Sequence, residues 1–151
     1  MIRYGQVVQN LDLLPNFITY YEKELDIAKR DCIISGSVEK QIRELPGITE
    51  HRFNQLQEIE AVLNYLNVTL RKTRHKHYKK YLESYARALT SKDAQSYAEA
   101  EDEVIDSEVI INEVALLRNK FLGILKAIES KNFQLGHIAR LRAAGLEDIS
   151  V

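Results

Sequence analysis

Apolar residues recur along this chain at the spacing of an α-helix and not at that of a β-strand. Alternating steps of three and four residues first join Leu56, Ile59, Leu63, Leu66 and Leu70. The same alternation returns later in the chain at Ile110, Val114, Leu117, Phe121, Ile124 and Ile128. Such seams are typical of helices that pack lengthwise on a partner. No segment alternates apolar and polar residues as a strand does, so the sequence predicts an all-α protein.

Turn residues mark the first elements of the chain. A first helix is predicted to begin at Pro15-Asn16, because proline is tolerated in a first turn, and Ser35-Gly36 is expected to end that segment. A short helix capped by Ser37 is expected to follow. Pro46-Gly47 is the clearest turn signal of the sequence. Residues 1–48 are therefore expected to form N-terminal helices.

A long antiparallel helical hairpin is predicted over residues 49–131. Its first helix is expected to run from about Thr49 to Leu89, and residues 90–93 are expected to form a loop and helix cap before the second. Asn132 is expected to end the second helix in the left-handed conformation, and residues 132–151 to add a short C-terminal helix. All 151 residues would then form a single helical domain with shorter helices flanking the hairpin.

The second seam carries a wide apolar surface, extended by Val104, Ile105, Val109, Ile111, Leu116, Leu122 and Leu125. A wide face favours contact with more than one neighbour, so we expect a homo-oligomer assembled through heptad-like seams. Packing of the two helices within one chain is the alternative interpretation. The residues expected at the oligomer interface are Ile110, Val114, Leu117, Phe121, Ile124, Ile128, Phe133 and Ile138.

Composition and motif content limit the class of protein and the kinds of site that the sequence can have. Apolar residues make up 45% of the chain and charged residues 28%, as in globular proteins. Cys32 is the only cysteine, which fits a reducing compartment, and no apolar run is long enough for a transmembrane helix. Neither a phosphate-binding loop nor a nucleophile elbow is present, and His75 and His77 are spaced wrongly to share a metal on a helix. We therefore expect no enzyme activity, no cofactor and no metal site.

Charge is segregated although the net charge is only -1. The cations that we call the basic segment are Arg71, Lys72, Arg74, Lys76, Lys79 and Lys80. The anions that we call the acidic block are Glu99, Glu101, Asp102, Glu103, Asp106 and Glu108. A basic helix with Tyr78 beside it offers phosphates a counter-charge and bases a stacking surface, as single-stranded DNA binding requires. Alternatively, a hairpin that turns near residue 91 would bring the two sets together and neutralise both.

Two motifs carry a resemblance to a known family. The C-terminal motif consists of Ala127-Ile128, Ser130-Lys131, Phe133, His137-Ile138 and Arg142, and it resembles the end of the UvsY family of T-even-type phage recombination mediators. Upstream, Lys72-Thr73-Arg74 followed by Tyr78 is similar to that family's Lys-x-Arg element, which contacts single-stranded DNA. The resemblance extends over about residues 49–145. The region after the basic element looks longer and more helical here, and the N-terminal part has its own sequence.

The resemblance implies a ring of six or seven subunits that binds single-stranded DNA. It implies that the protein helps a RecA-like recombinase displace a single-strand-binding protein, in the cytoplasm of an infected bacterial host. The rival hypothesis is a coiled-coil structural or adaptor protein with no DNA role. A third is a basic helix that binds the acidic groove of a protein partner.

Overall fold

Two helices of more than 40 residues form the frame of the molecule in a computed structural model, which describes residues 1–84 and 88–146. In chain order the helices are α1 (Tyr4–Gln9), α2 (Leu14–Asp31), α3 (Val38–Ser84), α4 (Ser91–Glu99) and α5 (Asp102–Ala143), with a 3₁₀ turn at Leu11–Leu13 between α1 and α2. No strand occurs in these two described ranges. The all-α prediction is confirmed.

Helices α3 and α5 lie antiparallel and share the most extensive contact in the molecule. The buried side chains of the first seam are Leu56, Ile59, Leu63, Leu66 and Leu70, and those of the second are Val114, Leu117, Phe121, Ile124 and Ile128. All of these except Leu70 belong to one hydrophobic cluster. The sequence had left open whether the seams pack within one chain or between chains. In this structure they pack within one chain.

This packing corrects the predicted oligomer interface. Val114, Leu117, Phe121, Ile124 and Ile128 were expected to meet another subunit, but they form the core of a single chain. Ile138 is partly buried against the same core. Only Ile110 and Phe133 of the predicted set stay exposed. An oligomer of this conformation would therefore have to use exposed residues and not the buried seam.

Helix α2 runs parallel to α5 and adds a third helix to the bundle. The ring centroids of Tyr21 and Phe121 lie 5.9 Å apart. Further along both helices, the Lys131 ammonium donates a hydrogen bond of 2.9 Å to the backbone carbonyl of Asp31. Helix α1 is tied to α3 because the Tyr4 amide donates to a Glu58 carboxylate oxygen over 2.6 Å.

A buried guanidinium joins α2 to α3. The Arg52 side chain lies 2.9 Å from the Glu24 carboxylate and 2.8 Å from that of Asp31, and it donates to the Gln55 side-chain oxygen over 2.8 Å. Gln55 donates in turn to Glu24 over 2.7 Å. Although burial raises the pKa of Glu24, the hydrogen bonds from Gln55 and Arg52 outweigh burial and hold that pKa below its usual range.

The predicted turn at Pro46-Gly47 is wrong, because both residues lie inside α3. Proline removes one donor from the helix, which leaves the Ile42 carbonyl without its usual partner. The neighbouring Leu45 is buried in the core, and this packing compensates for the lost hydrogen bond. Burial of the α3 surface thus overrides a local turn preference. As a result α3 begins at Val38 and not at Thr49.

The predicted N-terminal boundary also changes. Pro15 is the second residue of α2, as a proline-tolerant first turn requires, but α1 precedes it and the sequence did not indicate α1. The described part of the first long helix reaches Ser84, and Leu89, where the helix was predicted to end, is not helical. Tyr85, expected on the same helix, lies outside the described residues.

The second long helix differs from its prediction at both ends. The Thr90 hydroxyl accepts a hydrogen bond of 3.2 Å from the Asp93 amide, so the predicted cap is confirmed, but it opens only the short α4. A break at Ala100 separates α4 from α5. The predicted end at Asn132 is wrong because α5 continues to Ala143, so no separate C-terminal helix is present within the described part of 132–151. Gly145, with a φ of 74°, follows the end of α5, where the left-handed conformation favours glycine.

Removing the buried guanidinium should destabilise the bundle. We expect Arg52→Ala to lower the free energy of unfolding by about 3 kcal/mol, because Glu24 and Asp31 would keep their charges without their partner. Arg43→Ala is the matched control, since its ion pair with Glu39 is exposed and contributes little. Urea unfolding, followed by circular dichroism at 222 nm, measures the free energy of unfolding of both variants. Equal losses in the two variants would contradict a special role for Arg52.

Candidate nucleic-acid interface

The basic segment occupies the last turns of α3, away from the bundle centre. Opposite it lies the N-terminal part of α5, and α4 folds back against α3. Arg71 and Lys72 are exposed and form no ion pair with any residue in 1–84 or 88–146. Lys79 lies 3.9 Å from Glu83 on its own helix, an exposed pair of the weak kind.

Three cations of the basic segment meet the acidic block. Arg74 pairs with Glu108, and the Lys76 ammonium lies 3.7 Å from the Glu103 carboxylate. Lys80 lies 3.3 Å from Glu101. The predicted neutralisation of opposed charges is therefore confirmed for half of the basic segment. The remaining described cations of the segment have no partner in the acidic block.

His77 also takes part in the contact between the basic segment and the acidic block. It is buried, and its Nε2 lies 2.8 Å from Glu103 while its Nδ1 lies 3.5 Å from Glu101. The hydrogen bond with His77 lowers the pKa of Glu103, and a hydrogen bond of 2.7 Å from the Tyr81 hydroxyl lowers that of Glu101. Both carboxylates are thus kept charged beside the basic segment. The sequence did not assign His77 this role.

An open cleft of about 400 Å³ lies between α3 and α4. Its lining includes Arg74, His75 and Tyr78 from α3, and Lys92 and Gln95 from α4. Tyr78 is half-buried and lines this cleft. Two cations at the same cleft, one from each helix, can hold the flanking phosphates.

Lys92 is the residue that sequence reasoning missed. It was assigned to a loop, whereas it lies in the first turn of α4 and is exposed at the cleft. Within 1–84 and 88–146 it forms no ion pair. The available signal was the Thr90 cap, which marks the start of a helix directly beside Lys92. Only the fold-back of α4 shows that this helix faces the basic segment.

Aromatic rings extend the surface beyond the cleft. Tyr81 and Tyr97 stack with their ring centroids 5.4 Å apart and their planes 30° from parallel. The Lys80 ammonium lies 5.2 Å from the centroid of the Tyr81 ring. Since 48% of the Tyr97 surface is exposed, the stack presents an aromatic edge next to cations. This combination is typical of surfaces that bind single strands.

Three further observations concern metal binding, the reactivity of the cysteine and the spanning of a membrane. No three His, Cys, Asp or Glu side chains of the described residues converge to hold a metal ion. Burial raises the pKa of the Cys32 thiol, which disfavours the reactive thiolate. No helix in the described ranges is both long and apolar enough to span a bilayer.

Neutralising the acids that face the basic segment should expose more positive charge. We expect Glu103→Gln/Glu108→Gln to raise the affinity for single-stranded DNA at least about threefold at low salt, because Arg74 and Lys76 would lose competing anions. Glu39→Gln/Glu44→Gln changes the net charge equally at the far end of α3 and is the control. Fluorescence anisotropy with a labelled oligonucleotide compares them. Equal gains in affinity for the two double variants would mean that the net charge of the protein, and not the position of the acids, determines DNA binding.

Comparison with known proteins identifies no relative. No protein-family model, no curated protein and no solved structure matches the chain. A function can therefore be proposed only from the residues and the geometry described above and from the resemblance of the two sequence motifs.

Proposed function

We propose that this protein binds single-stranded DNA as a homo-oligomer and acts as a recombination mediator. The observation that carries the DNA-binding part of the proposal is the cleft beside the basic segment, which Tyr78 lines together with cations from two helices. Arg71 and Lys72 lie two turns before Tyr78 on the same helix and have no described acidic partner. The chemistry is binding: cations hold phosphates, and the ring of Tyr78 stacks on a base.

Such binding is independent of sequence, because every base offers a flat face and every nucleotide a phosphate. A strand would follow Arg71 and Lys72 along α3 and reach Lys92 across the cleft. A phosphate arriving near Arg74 competes with Glu108 for the same guanidinium. This competition keeps binding reversible, as a protein that is later replaced on DNA requires.

The partners follow from the resemblance alone. A mediator of this kind would load a RecA-like recombinase onto DNA covered by a single-strand-binding protein, in the cytoplasm of an infected bacterial host. The resemblance motifs fall on the basic segment and on the second half of α5. Pull-down of the recombinase would test this part of the proposal separately from DNA binding.

A second candidate is a helical scaffold or adaptor without a DNA role. It is favoured by the pairing of Arg74, Lys76 and Lys80 with acids, which leaves much of the basic segment neutralised. The two candidates differ in one measurable property, the binding of single-stranded DNA at low salt.

The salt dependence of binding tests how many cations meet phosphates. If only Arg71, Lys72 and Lys92 do so, the logarithm of the affinity should fall with the logarithm of salt concentration at a slope of about -2 per subunit. If the DNA also displaces the acidic block from Arg74, Lys76 and Lys80, so that all six cations of the basic segment meet phosphates, the slope should approach about -4. Anisotropy of a labelled oligothymidine, titrated at several salt concentrations, gives the slope. No binding at low salt would favour the scaffold.

Substitution locates the binding surface. We expect Arg71→Ala/Lys72→Ala to weaken DNA binding at least about tenfold, since two phosphate contacts are lost per subunit. Lys40→Ala/Arg43→Ala removes the same charge from the opposite end of α3, about 45 Å away along the helix, and should change binding far less. Equal weakening by both variants would place the binding site elsewhere.

A further inference from the structure

An apolar groove of about 880 Å³ lies open between the first half of α3 and the second half of α5. Its apolar lining includes Ile42, Pro46 and Phe53 from α3 and Leu122 and Leu125 from α5, and no residue of α2 lines it. Half of the Phe53 surface is exposed. In a bundle of three helices this groove is the open position of a fourth helix.

The face of α5 that borders the groove has apolar and charged residues at a spacing that is the same in both directions, while the signs of the two charges are exchanged on reversal. Leu122, Lys126, Glu129 and Phe133 are spaced four, three and four residues apart, so they lie on one stripe of the helix. The order is apolar, positive, negative, apolar. Phe133 is 68% exposed. Lys126 and Glu129 are exposed and form no ion pair with any residue in the described ranges.

We propose that this groove is covered by a second copy of the chain, with the two α5 helices antiparallel across a two-fold axis. Centred between Ala127 and Ile128, that arrangement sets Leu122 opposite Phe133 of the second copy. It also sets Lys126 opposite Glu129 of the second copy, and the symmetry repeats each contact. A two-fold interface needs a surface that complements itself, and the stripe has this property.

Self-complementary charge is the reason for choosing a second copy over an unrelated partner. A parallel, in-register pairing of the same stripes would set Lys126 against Lys126 and Glu129 against Glu129. That arrangement places like charges together, which is unfavourable. The antiparallel pairing turns both repulsions into attractions and covers Phe133, the most exposed large apolar side chain of the described residues.

The proposed interface is separate from the DNA surface. Phe53 and Lys72 are 19 residues apart on α3, or about 28 Å along the helix axis. A two-fold dimer through α5 would therefore leave both basic segments uncovered, one towards each end of the assembly. This inference rests on the self-association in the proposed function, but not on its binding of DNA. A two-fold contact closes with two copies, so by itself it gives a dimer and not the ring that the resemblance implies.

Exchanging the charges of Lys126 and Glu129 tests the antiparallel pairing of the two α5 helices. Sedimentation velocity of the full chain without DNA should show association at micromolar concentration. Lys126→Glu and Glu129→Lys should each weaken association at least about tenfold, because each sets like charges opposite each other twice. The double variant Lys126→Glu/Glu129→Lys should restore it, since the exchanged charges attract again in the antiparallel alignment.

Lys120→Glu, a charge reversal outside the stripe, is the matched control and should leave association unchanged. Circular dichroism at 222 nm confirms that each variant is folded. A wild-type chain that stays monomeric, or a double variant as defective as the single ones, would overturn the antiparallel pairing. Because DNA binding is measured separately by anisotropy, failure of this interface and failure of the DNA proposal give different results.

Discussion

The lengthwise packing of α3 on α5 is the contact on which the rest of the structure depends. It buries both heptad seams except Ile110, and it fixes which positions of the two helices lie at the same level. At one end, that alignment brings Arg74 beside Glu108 and His77 beside Glu103. At the other end it forms the walls of the open groove. The electrostatic surface and the apolar surface are thus two consequences of one packing register.

Helix α2 makes the bundle asymmetric. It covers one side of the α3–α5 pair and is held by the charged network around Arg52 and by the Lys131 contact. A buried ion pair adds less stability than its Coulomb attraction suggests, because both charges lose their hydration. Its value here lies in orientation, since a guanidinium with three partners admits few positions of α2. The other side of the pair carries the open apolar groove.

Opposed charges near α4 would limit how strongly the proposed surface can bind DNA. Three cations are already engaged by carboxylates, so binding must either use Arg71, Lys72 and Lys92 or displace the acids. Surface ion pairs are weak and are screened by salt, so displacement by a polyanion costs little. A protein with a net charge of -1 can therefore still present a local phosphate-binding surface.

The sequence by itself determined the helical class, the two seams and the cap at Thr90, because these depend on periodicity and on local hydrogen bonds. It also located the two blocks of charge. Tertiary structure alone decided that Pro46 stays within α3, since burial of Leu45 outweighs one lost hydrogen bond. It likewise decided that the second seam faces its own chain, and that α4 brings Lys92 to Tyr78. These outcomes depend on contacts between residues distant in sequence, which a local pattern does not contain.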